Sequence, residues 1–145
     1  MLESLNIRGV LLVEHRRRGQ LLSVETFAQT VTTVGKQWLV DVLQEIDAAG
    51  DALKWHQSGT GTTAAAAGDT ALGGAVYSRA EGSQTEASAA VYRSVETIAY
   101  TGTRSITEWG IFTTSTSGTM FARKTFAAKS VVSGDTITFT WDLTP

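Results

Sequence analysis

The segment that most constrains this chain lies near its C-terminal end. Over residues 136–143, Ile137, Phe139, Trp141 and Leu143 alternate with Thr136, Thr138, Thr140 and Asp142. A period of two places four large apolar side chains on one face of an extended chain and four polar ones on the other. Such a strand must lie over a core with its back to water. The segments 91–101, 104–113 and 119–128 share its β-branched and aromatic character, and the clusters TGT, STSG and VSGD separate them as turns.

Two more strands are expected at 5–14 and 21–32, joined as a hairpin through HRRRGQ, which contains Gly19. The triplet Arg16, Arg17 and Arg18 at that tip reads as a solvated charge run that can also touch an acidic partner.

Between the hairpin and the C-terminal strands the period changes. Trp38, Leu39, Val42, Leu43 and Ile46 recur at helical spacing from Thr33 to Ala49. Thr32 or Thr33 can cap the first turn, and Gly50 can end the helix in a left-handed conformation. The apolar stripe predicts a helix lying on a sheet, with Trp38, Leu39, Val42 and Leu43 sharing a core with Leu53 and Trp55.

In residues 58–90, 25 of 33 positions are Gly, Ala, Ser or Thr, and only Leu72, Val76 and Tyr77 are large and apolar. This stretch reads as a structureless loop or contact arm, because it cannot supply a core. The expected fold is therefore mainly β: an antiparallel β-sandwich or jelly-roll-like domain with one α-helix over about 34–48 and a long small-residue arm. All 145 residues form one domain, which buries roughly 70% of its unfolded surface.

A charge of −2 provides no positive field for nucleic acid or an acidic membrane, so neither is an expected partner. With no cysteine, disulfides and thiolate metal sites are excluded. The N-terminal run is interrupted by Asn6 and Arg8 and has its basic cluster after it, which fits neither a secretion signal nor a membrane span.

Catalytic readings are thin. SGTGTT lacks the Lys of a phosphate loop, and Ala64 stands where a dinucleotide fingerprint needs its third Gly. His56 and Ser58 fall on one face of a strand, but no acid is placed to orient the histidine, and both residues are expected on a half-exposed face. The second histidine, His15, is not placed against any serine. Two distant histidines with scattered carboxylates show no metal-ligand spacing. Glu108, beside Trp109 in mid-strand, reads as a carboxylate with a raised pKa or as an edge or interface ion pair. No catalytic residue, cofactor or metal is expected. Trp38, Trp55, Trp109 and Trp141 suit a core, with sugar-stacking platforms as the alternative.

SGTGTTAAAAGDTAL, together with the later SITEWGIFTTSTSGTMFARKTFAAKSVVSGDTITFTWDLT, resembles a family of small structural proteins of tailed bacteriophages. The shared pattern is a strand entering G-T-G-T-T, an Ala-rich turn and D-T-A-L, then I-T-E-x-G-I-F, M-x-A-R-x-x-F-A and a final strand entered through G-D. It covers most of the chain, including the TVTTVGKQWLVDVL helix start. Ala65 departs from it, standing where members often carry Pro.

The resemblance implies a non-enzymatic virion component, made in the host cytoplasm. As a capsid cement or decoration protein it would form a homo-oligomer, a trimer, and bridge major capsid proteins. The alternative is a tail-fibre, tail-tip or baseplate-associated protein contacting other tail proteins or host surface glycan, through exposed aromatics such as Tyr77, Tyr92 or Tyr100. Thr60, Gly61, Thr62, Thr63, Leu72, Val76 and Tyr77 are the expected contact residues of the arm, with the N-terminal strand as a second sheet-augmenting element. Gly59 and Gly61 would shape a sharp turn rather than hold phosphate, and Asp69 and Thr70 would cap the next element.

Overall fold

The structure, a computed structural model, describes residues 7–44 and 51–144. Within them the chain runs β1 (Arg8–Arg17), β2 (Gln20–Ala28), β3 (Thr30–Val31), α1 (Thr33–Leu43), β4 (Trp55–Gly59), β5 (Ala75–Glu81), β6 (Ser83–Ser88), β7 (Val91–Ala99), β8 (Arg104–Phe112), β9 (Met120–Val131) and β10 (Thr136–Thr144). The strands form two five-stranded antiparallel sheets, ordered β2-β1-β10-β7-β6 and β3-β9-β8-β4-β5. The fold is an antiparallel β-sandwich with, among the described residues, a single helix, as the strand pattern and turn clusters predict.

β10 carries out its alternation. Ile137, Phe139 and Trp141 are wholly buried, while the threonines between them stay half-exposed. Leu11 and Val13 of β1 and Ile98 of β7 extend this inner face, and Trp109, Ile111, Phe121 and Ala122 meet it from the second sheet. Trp109 packs on both Phe139 and Trp141, with ring centroids 6.4 and 6.2 Å apart.

The β1–β2 hairpin closes on Arg18 and Gly19, both with positive φ (51° and 77°) and flanked by the pair Arg17 and Gln20. Two left-handed residues match the twist of the flanking strands, which is why Gly19 suits this turn. β1 lies between β2 and β10, so the N-terminal strand is not available to augment another sheet; the edges of this sheet are β2 and β6.

α1 starts where the threonines allow. The Thr32 hydroxyl accepts from the Gly35 amide at 2.9 Å. Gly35 lies against β9 so closely that a Cβ would stand 2.6 Å from the Phe121 carbonyl oxygen, and Trp38 meets the Phe121 ring edge-on at 6.0 Å. The stripe is narrower than its spacing implies. Trp38 and Leu53 enter the core and Leu39 packs beside it, but Val42 is exposed, Leu43 is 78% exposed and Trp55 is only half-buried. The helix ends at Leu43, with Gln44 as its cap; the expected continuation through 45–48 and the Gly50 terminus lie outside the described residues.

Residues 58–90 are not a structureless arm. β5 joins the second sheet, β6 the first, and the chain crosses between sheets at Gly82, where a Cβ would stand 2.8 Å from the Val95 carbonyl oxygen. Small residues form these strands because an edge strand needs backbone partners rather than a buried side-chain face. Among residues 58–90, only 60–74 and 89–90, apart from the crossing at Gly82, lie outside strands.

Candidate functional site

The loop 60–74 folds over the outer face of the second sheet. β8 is a central strand: Trp109 and Ile111 face the core, while Glu108, Gly110 and Phe112 face the loop side, and all five are buried. Arg123 stands opposite Gly110 on β9. Gly110 leaves room for this cover, since a Cβ there would meet Leu72 Cδ2 at 2.9 Å.

Glu108 is the point to which the loop is fastened. Its Oε1 accepts from the amides of Gly61 (3.0 Å) and Gly74 (2.6 Å), and its Oε2 from Gly73 (3.0 Å). The Arg123 guanidinium donates to Oε2 at 2.8 and 3.1 Å through Nη2 and Nε, to Asp69 at 2.8 Å and to the Thr63 carbonyl at 3.0 Å. Burial raises the Glu108 pKa, but Arg123 and the three glycine amides outweigh it and hold the carboxyl below its ordinary range. The sequence expectation of a raised pKa is therefore corrected. The ion pair is real, but it lies within one chain and on a central strand rather than an edge.

The glycines act differently from the expected sharp turn. Neither Gly59 nor Gly61 has positive φ; a Cβ on either would stand 2.5 or 2.6 Å from Glu108 Oε1. They permit close approach to a carboxylate. Asp69 closes the Ala66–Asp69 turn, accepting from the Ala66 amide at 2.9 Å, and that amide followed by Arg123 lowers its pKa. Of the expected arm residues, Gly61 is bonded to Glu108 and Leu72 covers Gly110. Thr63 receives Arg123 through its carbonyl, and Val76 and Tyr77 belong to β5; Thr60, Thr62, Thr63 and Tyr77 are the exposed members of the set.

His56 and Ser58 are both wholly buried, which corrects the expected half-exposed face. They do not bond to each other. The Trp109 indole donates to His56 Nδ1 at 3.0 Å, so the neutral ring carries its proton on Nε2 and donates to Ser94 Oγ at 2.8 Å. Ser58 Oγ lies 2.8 Å from the Tyr100 hydroxyl. Burial lowers the His56 pKa to about 3 and raises that of Tyr100. The arrangement joins the two sheets by a polar chain, from β8 through β4 to β7.

The basic tip is partly engaged at home. Arg17 donates to both oxygens of buried Asp135 at 2.9 Å, His15 bonds to the same carboxylate at 2.9 Å, and Arg16 pairs with Glu14. Arg17 foremost, with His15 and the Val132 amide, lowers the Asp135 pKa against its burial. Arg18 is exposed in the turn.

Of the tyrosines expected as ligand contacts, Tyr100 is in the core and Tyr92 half-buried. Tyr77 is exposed, with φ 62° at a β4–β5 register shift, a costly conformation for an aromatic residue. Bonds from Thr101, side chain then backbone, and the nearby Arg104 lower its pKa to about 8. Trp109 and Trp141 are wholly buried and Trp38 nearly so, which removes these three as sugar platforms. Sequence reasoning missed Arg123, whose M-x-A-R position within an alternating strand gave no sign that the loop would cover that face.

Among the described residues, no group of three or more His, Asp or Glu side chains gathers to hold a metal, and no helix is long and apolar enough to cross a membrane. No protein family, curated protein or solved structure matches this chain.

Proposed function

We propose that the protein is a non-enzymatic virion component of a tailed bacteriophage: a capsid cement or decoration protein that forms a homo-oligomer, a trimer, and bridges major capsid proteins. One observation carries the reading. The motif positions on which the resemblance rests, Gly61, Asp69, Glu108 and Arg123, are scattered over 63 positions of sequence yet meet in one hydrogen-bonded cluster. That cluster fastens a loop over a sheet, and all of its principal groups bond to one another. This favours a rigid building block over a reactive site. Rigid subunits suit cement, since every contact they add to an assembled shell stabilises it by mass action.

The second reading, a tail-fibre, tail-tip or baseplate-associated protein, is favoured by Tyr77, an exposed aromatic beside Thr101 and Arg104 that suits glycan stacking. Immunogold labelling of purified particles with an antibody to this chain tests both readings. Label over the head supports the cement reading, label confined to the tail supports the second, and particles without label overturn both.

A further inference from the structure

We propose that a groove at one end of the first sheet is the seat for the β1–β2 hairpin tip of a second copy of this chain. The groove, about 520 Å³, lies where β6, the start of β7 and the end of β10 meet, with Val91, Tyr92 and Leu143 as its apolar lining and Gln84 and Glu86 beside them. It is preformed. The Tyr92 hydroxyl donates to the Leu53 carbonyl and accepts from the Gln84 amide, both at 2.7 Å, and its ring meets Trp141 edge-on at 6.1 Å.

The hairpin tip has the complementary chemistry. Leu21 and Leu22 are 45% and 46% exposed just beyond the turn, an apolar pair beside a cation. Arg16 and Arg17 already have carboxylate partners, so Arg18 is the cation the tip offers. Among the described residues, neither Arg18 nor Glu86 has an ion-pair partner. Apolar lining with a lone carboxylate meets an apolar pair with a lone guanidinium.

Position dictates that the contact be between molecules. Arg16 pairs with Thr136 at the start of β10, whereas Leu143, which lines the groove, lies at its other end opposite Gly9. At about 3.3 Å per residue, the tip and the groove stand roughly 25 Å apart along one sheet. The contact is thus head-to-tail, a type that closes into a ring when its rotation permits. The inference rests on the homo-oligomer part of the reading above and not on the virion assignment.

The test is sedimentation equilibrium of the full chain with Arg18→Glu, Glu86→Arg and the double variant, each checked for native thermal unfolding. Each single reversal is expected to weaken self-association about tenfold or more, and the double variant to recover most of the loss. A monomeric wild-type chain at roughly millimolar concentration overturns the proposal, as does association indifferent to both reversals, or a groove that binds only a different partner. Label on phage heads with a chain that does not self-associate would remove this inference alone. Charge-swap recovery without label would leave it standing and remove the virion reading.

Discussion

Glu108 and Arg123 face each other on the outer side of the second sheet, joined at 2.8 and 3.1 Å and both buried. Removing Glu108 would leave three glycine amides without their acceptor and the buried Arg123 with only Asp69 and the Thr63 carbonyl. Glu108→Ala should cost about 3 to 5 kcal/mol in urea unfolding. Gly61→Ala should cost about 1 to 3 kcal/mol, because its Cβ would stand 2.6 Å from the carboxylate. Losses below about 1 kcal/mol for Glu108→Ala would mean the cluster is not what holds the loop.

The buried His56 makes stability depend on pH in a definite direction. Its folded pKa of about 3 lies below the ordinary 6.5, so the unfolded chain binds the extra proton. This contribution is fully present above the unfolded value and is lost as pH falls toward the folded one, by up to about 1.4 kcal/mol per unit. Carboxylates add their own loss at lower pH, so the comparison is with His56→Gln between about pH 5 and 6.5. The wild type should show the steeper fall. Parallel curves would place the titration elsewhere.

Tyr77 and Tyr100 should titrate far apart. Ultraviolet titration of the folded chain should find one phenol ionising near pH 8, absent in Tyr77→Phe, while the buried Tyr100 ionises above the ordinary range. Because the folded pKa of Tyr77 is depressed, its ionisation favours the folded chain as pH rises past 8. A first tyrosine transition at the ordinary value would show that the Thr101 bonds do not form in solution.

Along α1, burial sets the cost of truncation. Trp38→Ala removes a core ring set against Phe121 and should cost about 3 to 5 kcal/mol in chemical denaturation. Leu43→Ser, at a largely exposed position, should stay within about 0.5 kcal/mol. Equal costs would mean that the far end of the helix is covered in solution.

The sequence by itself determined the strands that carry their own period. Ile137, Phe139 and Trp141 alternate with threonine, and a period of two specifies both the extended chain and its buried face. Trp38 and the Thr32 cap were legible for the same local reason, as were the hairpin turn and the sandwich class. What lay beyond the sequence depends on which surfaces meet. Nothing local shows that the loop 60–74 covers β8, so Glu108 read as a carboxylate with a raised pKa or an edge or interface ion pair and Gly61 as a turn, when together they form a carboxylate held by close backbone approach. β6 is exposed along its length and belongs to the sheet through its backbone ladder with β7 and polar side-chain bonds such as Gln84 to Tyr92, which leave no trace in hydropathy. His56 looked half-exposed because its polarity is visible in sequence, whereas the Trp109 and Ser94 partners that let it be buried come from other strands. Periodicity reports a segment's own two faces, and only tertiary packing decides what covers them.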